Sequence, residues 1–82
     1  MIERIKLDDD QETYDVDVGE REVVVILCLD GVIEVKGKDE QNPYAVLNKY
    51  ETWTLSSTYR QPTVKSRVPT GAEFLIVRYF RS

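Results

Sequence analysis

Val23-Val24-Val25-Ile26-Leu27-Cys28-Leu29-Asp30-Gly31-Val32-Ile33-Glu34-Val35-Lys36 is the stretch on which the fold of this chain turns. Its first seven residues are apolar on both faces of a strand, so both faces must be covered and Glu22 to Leu29 reads as a central strand. Asp30-Gly31 sits between two strong runs and is the clearest hairpin signal in the chain, with Val32 to Lys36 as the return strand.

The same period of two extends outward in both directions, and no segment of ten residues carries an uninterrupted helical stripe. Upstream, Ile2 to Leu7 forms a first short strand closed by Asp8-Asp9-Asp10. Glu12 to Val18 forms a second, with Tyr14, Val16 and Val18 on one face and Thr13, Asp15 and Asp17 on the other, before the turn Gly19-Glu20-Arg21. Downstream, Gly37 to Pro43 is a polar loop, Tyr44 to Leu47 a brief strand, Asn48 to Glu51 a turn and Thr52 to Leu55 another strand. Ser56 to Gln61 is a loop, and Pro62 to Ser66 an expected edge strand, because a leading proline cannot donate to a central ladder. Ala72 to Phe80 closes the chain after the turn Pro69-Thr70-Gly71. About eight short antiparallel strands indicate an all-β fold, a small jelly-roll barrel or sandwich, with residues 1–82 as a single domain.

Composition narrows the function. With no histidine, the serine–histidine and cysteine–histidine nucleophilic systems and histidine-based metal sites are excluded. The four glycines are isolated in turns and make no phosphate-cradling loop. Cys28, the single cysteine, lies in an apolar run and reads as a small buried hydrophobe in a reducing compartment. Net charge is −4, which argues against nucleic acid as a partner. Residues 1–20 hold eight acids against Arg4 and Lys6, whereas residues 50–82 hold five bases against Glu51 and Glu73. Asp8-Asp9-Asp10 reads as a solvated turn rather than a cation site. The longest apolar run is far short of the ~20 residues of a membrane helix, and the N-terminal residues lack a secretory pattern, so a cytoplasmic location is expected.

From Tyr14 to Tyr79 the chain resembles the cupins, small jelly-roll barrels. The likeness rests on Val25-Ile26-Leu27-Cys28-Leu29-Asp30-Gly31, a strand closed by a glycine turn, and on Leu47-Asn48-Lys49-Tyr50-Glu51-Thr52-Trp53 and Phe74-Leu75-Ile76-Val77-Arg78-Tyr79. Lys49-Tyr50-Glu51 stands where the family has Lys-Gly-Asp, with the glycine lost. The resemblance places Val18, Glu20, Val24 and Gln61 at the family's metal-ligand positions, so it implies that the metal centre is gone. Within the family the chain is most similar to the non-catalytic C-terminal domain of type I mannose-6-phosphate isomerases, whose zinc and chemistry belong to another domain.

The resemblance also sends Tyr14, Val16, Val24, Ile26 and Cys28 inward, to a dry core in preference to a ligand cavity. Trp53 reads as core or interface in preference to a sugar-stacking platform. Tyr59, Arg60, Gln61, Lys65 and Arg67 are expected to border the barrel mouth, and the candidate ligand-binding residues are Tyr59, Arg60, Lys65 and Arg67. Three cations and a phenol can hold a phosphate or carboxylate through charge-assisted hydrogen bonds. Guarding of an edge strand by Lys and Arg is the plainer account of the same residues. Val23, Val25, Leu27 and Leu29 face outward, a patch suited to a homodimer. The expectation is therefore a binding or assembly module without catalytic residues, metal or cofactor, for a sugar phosphate or other small anion. A metal-independent isomerase-like enzyme and a purely structural interaction domain are the alternatives.

Overall fold

The computed structural model describes residues 1–59 and 61–81. They form eight strands: β1 (Ile2–Leu7), β2 (Thr13–Asp15), β3 (Glu22–Asp30), β4 (Ile33–Gly37), β5 (Ala45–Leu47), β6 (Thr52–Leu55), β7 (Pro62–Ser66) and β8 (Ala72–Phe80). Two four-stranded sheets result, in the orders β1-β8-β3-β6 and β2-β7-β4-β5, with every pairing antiparallel.

The pairs β1–β8, β2–β7, β3–β6 and β4–β5 are nested, so the chain is one long hairpin rolled up until β8 meets β3 and β7 meets β4. That is a jelly roll. Its nesting overturns the hairpin expected at Asp30-Gly31: β3 and β4 lie in different sheets, and Gly31 is the corner where the chain crosses between them. Gly31 has a φ of 77°, and a Cβ there would lie 2.9 Å from the Gly71 carbonyl oxygen. Gly71, with a φ of 92°, abuts the end of β1 in turn; its Cβ would fall inside contact distance of the Leu7 carbonyl oxygen and 2.8 Å from the Asp8 carbonyl carbon. The corners after β1, β3 and β7 thus converge, and glycine is needed twice because backbone packs on backbone at a left-handed φ. The Asn48–Glu51 turn joins this end through Tyr50 N–H to the Cys28 carbonyl (2.7 Å) and Cys28 N–H to the Glu51 carbonyl (3.0 Å).

Alternation within each strand sends one set of side chains into the space between the sheets. Val24, Ile26, Cys28, Leu55, Phe74 and Ile76 come from the first sheet and Ile33, Val35, Leu47 and Val64 from the second, and they form one buried cluster with Leu7, Val16 and Ala72. The inward assignment of Val16, Val24, Ile26 and Cys28 holds, and Tyr14 packs against the cluster at its margin. Burial pushes the Cys28 thiol pKa up.

The two open sides of the sandwich are sealed by aromatic rings. Between β1 and β2, Tyr14 meets Phe74 edge to face at 6.0 Å and donates its hydroxyl to Glu3 at 2.8 Å, tying the sheets together. Its phenol pKa is raised, first by desolvation and then by the bond to Glu3. Between β5 and β6, Trp53 stacks on Tyr44 at 5.8 Å, and Tyr59 meets each ring edge-on at 4.9 Å. Trp53 is a closing element of the core.

Two further expectations change. β2 spans three residues rather than Glu12 to Val18, its continuation being held by Val16 N–H to the Pro62 carbonyl at 2.8 Å. β7 is an inner strand, paired with β2 and β4, not an edge. Pro62 is tolerated because it occupies the first position of the strand, where no ladder donor is forfeited in the interior.

Candidate functional site

The end of the roll opposite the glycine corners carries the longer loops and is the barrel mouth. Asp15, Asp17, Val18, Lys38, Ser57, Tyr59 and Gln61 surround a depression of about 520 Å³ there, with Val16 and Thr63. Val18 and Gln61, two of the positions at which the resemblance would put cupin metal ligands, lie on this depression, whereas Val24 is in the core and Glu20 is exposed. Among its described lining residues the charged ones are Asp15, Asp17 and Lys38. Asp15 accepts a hydrogen bond from the Thr63 hydroxyl at 3.0 Å, and the backbone at Asp17 is pinned by Arg78, which donates to the Asp17 carbonyl at 2.6 Å and to the Glu22 carboxylate at 2.8 Å. Among the described residues, no group of three or more His, Cys, Asp or Glu side chains is placed to hold a metal.

A different chemistry occupies the outer face of the second sheet. Antiparallel register places Glu34 opposite Lys65 and Lys65 opposite Thr13, and the next row sets Lys36 opposite Thr63. The loop after β4 runs alongside, and the strands and loop together wall a groove of about 560 Å³. Lys36, Lys38, Lys65 and Arg67 all line it, with Thr13, Gln41 and Asn42 as neutral hydrogen-bonding groups and Glu34 as the one acid among its lining residues. Glu34 lies 3.7 Å from the Arg67 guanidinium, a long and loosely screened pair. Among the described residues, no ion pair holds Lys36, Lys38 or Lys65.

The candidate residues therefore divide. Lys65 and Arg67 come together in the groove, on the outer face rather than at the mouth. Tyr59 lies on the mouth depression, engaged with Tyr44 and Trp53. Arg60 lies outside the described residues. Lys36 and Lys38 were missed from the sequence, because they belong to β4 and its following loop, some thirty residues before Lys65; only the pairing of β4 with β7 brings them together. Outward alternation in Glu34-Val35-Lys36 was the available signal.

The position of β7 bears on the guarding account of these cations. An edge guard protects unpaired backbone groups, and β7 has few to protect: β4 pairs it from Pro62 to Ser66 and β2 from Thr63 to Lys65.

No family model matches the chain, and no curated protein matches it. Among solved structures, it is similar to the solution NMR structure of a de novo designed double-stranded beta-helix, with a TM-score of 0.76 and 22% identity over 96% of this chain and 99% of that one. At that identity the likeness shows the fold, a jelly-roll-like all-β architecture that agrees with the nested pairing above. Among the described residues, no helix is long and apolar enough to cross a membrane.

Proposed function

We propose that this chain is a binding module, without catalysis of its own, that takes a small multiply charged anion such as a sugar phosphate in the groove on its second sheet. The reading includes a cytoplasmic setting and kinship with the cupins, nearest the C-terminal domain of type I mannose-6-phosphate isomerases. One observation carries it: Lys36, Lys38, Lys65 and Arg67 line a single groove against Glu34 alone, in a chain whose net charge is −4. Within the groove cations outnumber acids four to one, although Asp15 shares the cross-strand row of Thr63 and Lys36, and the inner position of β7 speaks against the edge-guard explanation. A phosphate entering the groove gains charge-assisted hydrogen bonds from the ammonium groups and from Arg67, whose fork suits two phosphate oxygens. Thr13, Gln41 and Asn42 supply donors suited to sugar hydroxyls.

Titration with inorganic phosphate and with mannose 6-phosphate, followed by backbone amide shifts, tests the proposal. Saturable movement at Lys36, Lys38, Lys65 and Arg67 is expected, weakening as salt is raised and lost in the Lys36→Glu/Lys65→Glu double variant. An unchanged spectrum at these four residues would refute it. Conversion of mannose 6-phosphate during the titration would replace the binding module with an isomerase-like enzyme.

A further inference from the structure

The two outer faces of the roll differ in kind. The second sheet presents Thr13, Glu34, Lys36, Thr63 and Lys65 to solvent, the polar face expected of an antiparallel sheet in water. The first sheet does the reverse. One cross-strand row runs Ile2, Val77, Val25, Thr54, and the next runs Arg4, Leu75, Leu27, Thr52. Val25, Leu27, Leu29, Leu75 and Val77 are only partly buried, while Ile2 and Tyr79 at the margin are 69% and 50% exposed. Val23, expected on the same patch, is buried at 6%. No element of the described chain crosses the two central rows.

We propose that this face is a self-association surface, on which two copies of the chain stack their first sheets about a two-fold axis. Charge selects the occupant. About such an axis a group on the axis meets its own copy and a group to one side meets whatever lies on the other, so an unpaired charge near the axis would be repelled by its own copy. Here the central rows carry only Arg4, which is neutralised within the chain by its hydrogen-bonded ion pair with Glu73. The rest is aliphatic or threonine, which meets itself without penalty. The rim is mixed in sign, with Lys6, Glu73 and Asp30 sharing the row at one end and Arg21 and Arg81 beyond the Val23–Tyr79 row at the other, so neither a lipid surface nor an acidic partner meets a basic rim all round.

Area agrees with this assignment. Six residues each of β1, β3 and β8 and the four of β6, with strands ~4.8 Å apart and a rise of ~3.3 Å per residue, make a face of about 350 Å² in plan on each copy. Corrugation by side chains lifts the accessible area above the plan area, so the pair buries about 1,000 Å², at the lower bound for a specific interface. The expected product is a small dimer in concentration-dependent exchange with monomer. This surface is independent of the groove, which lies on the other sheet.

Sedimentation equilibrium at about 100 μM chain, above the micromolar range suited to an interface of this size, should give twice the chain mass of 9.5 kDa. Leu75→Glu, at the centre of the face, and Thr54→Arg, at an exposed position in the adjacent row, should each give the monomer mass. Leu75→Glu mixed with Leu75→Lys should restore the dimer, since opposite charges then meet across the axis. Thr54→Arg touches no core contact, so it reports even if substitution of Leu75 impairs folding. A wild-type monomer at that concentration overturns the proposal, as does a dimer that Thr54→Arg leaves intact.

Discussion

Phe74 is the side chain on which a filled barrel stands or falls. It is fully buried near the start of β8, with Ile5 of β1 opposite on one side and Cys28 of β3 on the other, and Tyr14 set edge-on against its ring. In a packed interior, truncation to alanine loses the transfer free energy of the ring and leaves a cavity that rigid strands on both sides cannot close. The cost is about 3–5 kcal/mol. A domain of this length holds only about 4–12 kcal/mol in all, so Phe74→Ala should consume a large share of it. At roughly 4 °C or more per kcal/mol for a domain of this size, the melting temperature should fall by at least about 12 °C. Phe74→Leu, which removes the equivalent of one or two methylenes, should cost about 1–2 kcal/mol. Thermal unfolding followed by circular dichroism and by the fluorescence of Trp53, the single tryptophan, gives both values, at one protein concentration so that self-association adds equally. If Phe74→Ala melts within about 4 °C of wild type, the ring faces a void or solvent, and the filled-core reading with it is wrong.

Two other outcomes are expected. Gly71→Ala should destabilise by at least about 2 kcal/mol, because a left-handed backbone is joined to a clash with β1 backbone, whereas Gly19→Ala should change stability by under about 1 kcal/mol, since its Cβ would meet only Glu22 at 3.6 Å. Equal melting temperatures for the two variants would contradict the converging-corner geometry. The Tyr14 phenol should ionise above the ordinary tyrosine value of about 10, and Glu3→Gln should move it back down. Since the folded value is raised, its contribution to stability is complete below pH of about 10 and declines as pH climbs from there through the folded pKa. Ultraviolet titration of wild type against Tyr14→Phe isolates this phenol, and a value at or below that of free tyrosine would count against the Tyr14–Glu3 link.

Much of the architecture was legible along the chain, and for a local reason. Parity sorts Val16, Val24, Ile26 and Cys28 onto one face and Val23, Val25, Leu27 and Leu29 onto the other, but both faces of β3 are apolar, so the choice of the inward set came from the cupin resemblance, and Val23 is buried all the same. Turn positions were equally accessible, because Gly19, Gly31 and Gly71 act on their own backbone. Partnership is another matter. Asp30-Gly31 has the composition of a tight hairpin, and nothing local distinguishes that from a corner between sheets; β3 goes to β8 and β6 because nested pairing across the whole chain satisfies both of its edges. Pro62 looked like the mark of an edge, yet one residue's place within its strand was enough to make β7 an inner strand.

The same division separates the two surfaces. The apolar face of the first sheet was visible in advance, since its residues are neighbours at alternate positions in β3 and β8. The groove was visible only in part: Lys65 and Arg67 are close in sequence, but Lys36 and Lys38 reach them through the ladder between β4 and β7. Which side chains share a face of a strand is a property of two or three bonds and was determined by the sequence. Which charges share one groove, and which strand ends up inside a sheet, depend on contacts between residues tens of positions apart, and those were decided only when the roll closed.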